Sequence, residues 1–385
     1  VNYGGKVRRL QSLMGERGFD IAILNSNKCL DYFVGAEIST AALSTCLVIP
    51  RDGEPIMVYY AADADRIRND WHTGGNVPIV KEWSLELGGP HREVRYEDRV
   101  GEALREAGAN SRSVIGIEYG FMTLAEFEAL RKVLPSQDVR DITPTIDDLM
   151  IIKDEEKLQY LRRAADIATI GIEAAFEAVC PGMAEVELAA EAERAMSYAG
   201  MDHIWICTQV GSGIRNGFFE APASEKLIQR GEMVRVDVHP MYKRYLSDTS
   251  RNAFLGRLDG EYGRICEVVV EAANVAIDAM VPGAIVGDVY EAYHEVIERA
   301  GIEGHPGPPL GHGLGTINFR GAVDAREESI GPSGEHGHSH SALPIQARVR
   351  GAGRGIPRAR QEAQGRGAHE PAPGADRDPA LSPRA

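Results

Sequence analysis

The chain has 385 residues, 43% hydrophobic and 26% charged, which excludes a fully disordered chain, a collagen-like repeat and a disulfide miniprotein. A formal net charge of −15 argues against a general nucleic-acid-binding surface. No apolar run approaches the roughly 18–20 residues that span a bilayer, and the opening residues lack the apolar core of a signal peptide.

That length suits two or three domains. The five cysteines (Cys29, Cys46, Cys180, Cys207 and Cys266) are odd in number, widely spaced and without a CxxC pair. They read as reduced thiols of a cytoplasmic protein, in the role of small buried apolar residues.

The first stretch reads as α/β. Val7, Leu10, Leu13 and Met14 share one helix face over 6–18, which closes on Gly18. Asp20 to Leu24 is a short buried strand. The runs STCLVIP and PIMVYY flank Arg51-Asp-Gly-Glu54, and Asp-Gly between two such runs predicts a hairpin. Val114–Ile117 is a further strand and Thr123–Val133 a helix. Asp141–Ile151, with Pro144, reads as a connector.

Helical spacing resumes at Asp154 and continues to Val179, where Pro181 and Gly182 stop it. A second helix spans about Glu185–Ala199. Strands follow at Ile204–Val210 and Met233–Val238, then helices at about Tyr262–Met280 and Val286–Ala300. The character changes after Phe319: residues 320–385 contain no Phe, Tyr, Trp or Lys. A Gly-, Pro-, Ala- and Arg-rich stretch of that kind buries too little apolar surface to offset chain entropy.

Three places can carry chemistry. In the segment 233–251, Val234, Val236 and Val238 alternate with Arg235, Asp237 and His239, so Asp237 lies on the polar side of a strand. Asp is depleted in strands. Asp248 follows eleven residues later, and a hairpin turning near Met241–Arg244 would set the two carboxylates side by side. Two such groups repel unless a cation lies between them. A strand-end Asp and a separate turn Asp would give the same spacing. His312 lies between Gly311 and Gly313, a presentation suited to a metal ligand. Val210–Gly217 lacks the Walker lysine and reads as a loop walling a cleft. His203 and His239 could line that cleft or serve structure alone.

At these motifs the chain resembles the pita-bread metallohydrolases, which include Xaa-Pro dipeptidases, aminopeptidase P, methionine aminopeptidases and the metal-free creatinases. GFDIAILNSNKCLDYFVGAE is similar to the opening of their N-terminal domain. IIKDEEKLQYLRRAADIA resembles the start of the catalytic domain's first long helix. GSGIRN, the Asp237–Asp248 segment and GHGLG follow in the family's order, and the resemblance covers roughly 1–319.

It implies a creatinase-like α/β domain over 1–148 and, over 149–319, a catalytic domain with a curved antiparallel sheet flanked by helices. Residues 320–385 form a tail outside that pattern. It further implies Asp237, Asp248 and His312 as ligands of two divalent ions (Mn²⁺, Co²⁺, Fe²⁺ or Zn²⁺), with Asp248 bridging them and two glutamates completing the set. The implied reaction is hydrolysis of a peptide C–N bond by a water bridging the metals, on a small peptide or small amide. The implied assembly is a homodimer, with no nucleic-acid or membrane partner. A small-molecule hydrolase or lyase of the creatinase or ectoine-hydrolase type, or an inactive member, are the other readings.

Three departures stand out. Glu220 occupies the position where the family's peptidases carry a substrate-contacting His. Thr316–Phe319 lacks the His and Glu often found after GHGxG. Neither glutamate ligand has its context, since Glu335, Glu362 and Glu370 all lie in the tail.

A slip of reading frame somewhere after Gly315 would account for the last departure. His336-Gly-His338 written CAT GGT CAT reads Met-Val-Ile one base later. Gln346-Ala-Arg348 written CAA GCC CGG reads Lys-Pro-Gly. Sequencing the gene checks this: a single-base shift should restore a Glu-bearing strand, and its absence removes the idea.

Overall fold

The computed structural model describes residues 3–34, 45–63, 79–84, 94–258, 260–302 and 311–316. The chain opens with α1 (Tyr3–Arg17), β1 (Ile21–Leu24), α2 (Asn27–Phe33), β2 (Cys46–Pro50), β3 (Ile56–Tyr60) and β4 (Ile79–Trp83). It continues with α3 (Tyr96–Glu106), β5 (Ile115–Ile117), α4 (Leu124–Leu130), β6 (Val139–Asp141) and α5 (Thr143–Ile151). The six strands form one mixed sheet, ordered β4-β3-β2-β1-β5-β6.

β1 shows why this sheet is buried on both faces. Ala22 and Leu24 enter a cluster with Leu10 and Met14 of α1, while Ile21 and Ile23 enter another with Val100 and Leu104 of α3. The expected hairpin is present: β2 and β3 pair antiparallel, with Leu47 opposite Met57. Gly53 in the turn has φ 133°, a value that favours glycine.

The expected connector at 141–151 is instead the helix α5. Pro144 sits in its first turn, where the missing N–H has no intrahelical partner to lose. Ile146, Leu149 and Met150 then pack against the α1 side of the sheet. The elements α2, β4 and α3 had no counterpart among the sequence expectations.

The second part begins with α6 (Glu155–Ala178), whose N-cap Asp154 accepts a hydrogen bond from Lys157 N. α7 (Glu185–Tyr198), β7 (His203–Ile204) and β8 (Gln209–Ser212) follow, then β9 (Met233–Val238), β10 (Pro240–Tyr242), β11 (Tyr245–Leu246) and β12 (Thr249–Phe254). α8 (Gly260–Ala279) and α9 (Val286–Arg299) pack on each other through Ala272, Ala276, Val289 and Tyr293. The strands form two antiparallel sheets, β11-β10-β7 and β12-β9-β8. The single strand expected at 204–210 is therefore two, because the chain crosses from one sheet to the other between β7 and β8.

Cys29 and Cys46 are buried as expected, but Cys180 and Cys207 are exposed and Cys266 is half-buried; all five are free thiols. The tail 320–385, with Glu335, Glu362 and Glu370, lies outside the described residues. Among the described residues no helix is long and apolar enough to cross a membrane.

The two parts meet at buried amines. Lys6 Nζ lies 4.5 Å and Lys157 Nζ 4.8 Å from the centre of the Tyr32 ring, and Lys157 Nζ donates to Tyr32 Oη at 3.2 Å. Burial lowers the Lys6 amine from 10.5 to about 8, aided by the charge on Lys157. Lys153 falls to about 8 for the same two reasons. Between that value and 10.5 the unfolded chain binds more protons at these lysines, so their contribution makes stability rise with pH. Tyr3, pushed up to about 12 first by burial, opposes the rise only above its ordinary 10. Burial also pushes the Cys46 thiol from 9 to about 12 and raises that of Cys29, and both oppose the rise from about pH 9. The lysine contribution is isolated by difference: from pH 8 to 10 the urea midpoint of the original chain should gain on that of Lys153→Met, and a constant difference removes the effect.

Candidate metal centre

The site grows from the alternation of β9. Val234, Val236 and Val238 pack against Ile167 and Ile172 of α6 and Leu188 and Met196 of α7. Each such side chain contributes about 1.5–3 kcal/mol. That burial turns Arg235 and Asp237 to the opposite face. β12 runs antiparallel beside β9, with Ser250 opposite Asp237 and Thr249 opposite Val238; β8 flanks the other side, with Gln209 opposite Asp237. The chain reverses at Lys243 and Arg244, which hold φ 49° and 67°. The hairpin thus turns where expected and brings Asp248 to Asp237.

His239 stands between the two carboxylates. Its Nε2 is 3.5 Å from Asp237 Oδ1 and 3.4 Å from Asp248 Oδ1. His312 Nε2 approaches the other oxygen, Asp248 Oδ2, at 3.2 Å. The loop bearing His312 is held by Leu246 N donating to Gly315 O at 2.8 Å. Leu314 beneath it packs with Leu161, Met241, Tyr245 and Leu246. All three expected residues are therefore together, and His239 joins them. His203 is apart and exposed on β7.

Electrostatics separates the two carboxyls. Burial raises Asp237 to about 6; His239 lowers it and Asp248 raises it further. Burial also opposes the charge on Asp248, but the His239 and His312 imidazoles outweigh it and hold this carboxyl below its ordinary range. His312 is raised: burial lowers it, and the hydrogen bond with Asp248 more than compensates. Asp237 Oδ1 is buried and has no hydrogen-bond partner. A buried carboxylate oxygen without a donor is costly unless a cation meets it. Carboxylate oxygens and imidazole nitrogens together suit a first-row divalent ion. Among the described residues, Asp237, His239 and Asp248 are the one group of three or more such side chains with ligand atoms within 4.8 Å of one another.

The model of metallopeptidase family M24 matches residues 159–340, and that of the creatinase/prolidase N-terminal domain matches 6–161. An Xaa-Pro dipeptidase of Pyrococcus furiosus is 31% identical over 278 residues, which are 68% of this chain and 76% of that one. The chain belongs to metallopeptidase family M24. A Pyrococcus horikoshii Xaa-Pro dipeptidase is 25% identical over 316 residues, covering 80% of this chain and 81% of the relative. The crystal structure of a P. horikoshii dipeptidase superposes with a TM-score of 0.72 at 26% identity, covering 86% of each chain. The pita-bread fold is thereby established, with a creatinase-like domain before it.

In this M24 chain the loop after β8 forms a 3₁₀ turn over Gly213–Gly217 beside β9, in keeping with a cleft wall. It is anchored by a residue the sequence did not reveal. Glu185, fully buried at the start of α7, accepts from Ser212 N and Oγ, both at 2.8 Å. Its other oxygen accepts from Arg215 Nε at 2.9 Å and from Ser224 N and Oγ at 3.2 and 2.6 Å. Burial disfavours its charge, but these donors prevail and keep the carboxyl below its ordinary range. Glu220, exposed on the same loop, has φ 47° and adds negative potential at Asp237. Glu185→Gln replaces an acceptor oxygen by a donor amide facing these N–H and O–H groups. It should cost about 2–4 kcal/mol in urea unfolding.

Proposed function

We propose that this M24 chain is a metal-dependent hydrolase of the Xaa-Pro peptidase type, cleaving the C–N bond of a small peptide. Asp237, Asp248 and His312 hold divalent ions drawn from Mn²⁺, Co²⁺, Fe²⁺ and Zn²⁺. The observation that carries the reading is the buried convergence of both carboxylates, with Asp237 Oδ1 lacking any hydrogen-bond donor. When bound, the ions would supply Lewis acidity to the scissile carbonyl and lower the pKa of an attacking water. The protein's part is to fix the ligands on a rigid hairpin and to wall the cleft with the 213–224 loop. A cytoplasmic homodimer belongs to the same reading; the exposed thiols Cys180 and Cys207 suit a reducing compartment.

Glu220 favours a second reading. Its carboxylate stands where the family's peptidases carry a His, and its field reaches Asp237. An acidic group there disfavours the free carboxylate of a dipeptide and suits a small amide with a positive group. The test is a substrate panel with Mn²⁺- or Co²⁺-loaded protein: Xaa-Pro dipeptides, other dipeptides and small amides, with released amine quantified by chromatography. Metal-dependent release of proline, abolished in Asp248→Asn, is the expected result. Cleavage confined to small amides supports the second reading. No cleavage at full metal occupancy overturns both.

A further inference from the structure

We infer that His239 is itself a metal ligand, so that Asp237, His239 and Asp248 form a complete three-donor ion site on one hairpin. The inference rests on the metal-dependent reading above and adds a donor to it.

Spacing is the first support. An ion with bonds of about 2.0–2.1 Å in tetrahedral geometry holds its donors about 3.3–3.4 Å apart. His239 Nε2 lies 3.5 Å from Asp237 Oδ1 and 3.4 Å from Asp248 Oδ1. The three ligand atoms all lie within 4.8 Å of one another, close enough for one ion to draw them together.

The second support is the mismatch of polar groups. His239 Nδ1 is buried without a hydrogen-bond partner, so neither tautomer satisfies the ring fully; with its proton on Nδ1, the ring turns a lone pair toward two carboxylate oxygens. Three acceptors then face one another in a site where the side chains of His239 and Asp248 are only 4% and 5% exposed. A proton on Nε2 relieves that contact along one direction. A metal ion meets the three facing atoms at once, leaving only Nδ1 without a partner.

The ring is also held in place. Trp205 N donates to His239 O at 3.0 Å, and the Trp205 ring packs across the imidazole with centroids 6.3 Å apart.

His312 meets the opposite oxygen of Asp248, so the first ion needs neither His312 nor a further carboxylate. An imidazole in the donor set also moves preference toward Zn²⁺, Co²⁺ or Fe²⁺ and away from Mn²⁺.

The experiment compares the metal-free full chain with His239→Ala and His312→Ala. Zn²⁺ affinity is measured by competition with a chromophoric chelator, and stoichiometry by plasma mass spectrometry. The original chain and His312→Ala should each keep one tightly held ion. His239→Ala should lose more than the roughly 10–100-fold that follows removal of an outer-shell partner. Equal affinity in His239→Ala overturns the inference and leaves the hydrolase reading standing. Failure of the original chain to bind Zn²⁺, Co²⁺ or Mn²⁺ overturns both. Should His239→Ala misfold by circular dichroism, pulsed EPR of Cu²⁺-loaded His312→Ala decides. The ¹⁴N modulation of one imidazole is expected, and it should be absent in the double variant His239→Asn/His312→Ala. No imidazole modulation in His312→Ala overturns the inference.

Discussion

The antiparallel register of β9 against β12 is the constraint on which the site depends. With Ser250 opposite Asp237, the connection through β10 and β11 delivers Asp248 to the end of the same ladder. Strand side chains alternate, so a slip by one residue would send Asp237 into the α6–α7 packing and a valine into the cleft. The apolar clamp on Val234, Val236 and Val238 opposes that slip at every second position. Hydrophobic burial, which has no chemical role in the site, thus fixes where the charged groups stand.

The hairpin's turn is held from two directions. Arg244 N donates to Asp202 Oδ2 at 3.1 Å, and its guanidinium pairs with Asp31 of α2 at 3.1 Å. The Asp31 and Arg244 side chains are 11% and 26% exposed, so this pair is screened less than a surface bridge. α2 is in turn seated by Glu118, a buried carboxylate that accepts from Asn25 N, Ser26 N and Ser26 Oγ. The six-stranded sheet is therefore tied to the hairpin of the candidate centre through a seven-residue helix.

Much of this was legible in the sequence because local chemistry and global packing agree there. The Val–Asp alternation, the Asp-Gly hairpin and the helical spacing that resumes at Asp154 each act within a few residues. α5 was not legible because Pro144 reads as a breaker unless its place in the first turn is known. α2 is too short to display a helical period. Glu185 is opaque for another reason: its partners Ser212, Arg215 and Ser224 lie 27, 30 and 39 residues away, and nothing near it marks a buried carboxylate. The position of His239 between the two carboxylates was equally hidden. As a strand-end histidine it has a structural explanation, and only the arrival of Asp248 from the far end of the hairpin gives its Nε2 two carboxylates to face.

The asymmetry between the two aspartates follows from how many imidazoles each one sees. Asp248 lies beside His239 through one oxygen and His312 through the other, and its charge is stabilised despite burial. Asp237 has His239 alone at contact distance, with the charges of Asp248 and Glu220 opposing it. The less compensated carboxylate gains most from an added cation, because its charge is the one the fold leaves least neutralised. The hairpin therefore presents a graded pair: Asp248 is held charged by the protein, and Asp237 is the carboxylate an added cation would stabilise most.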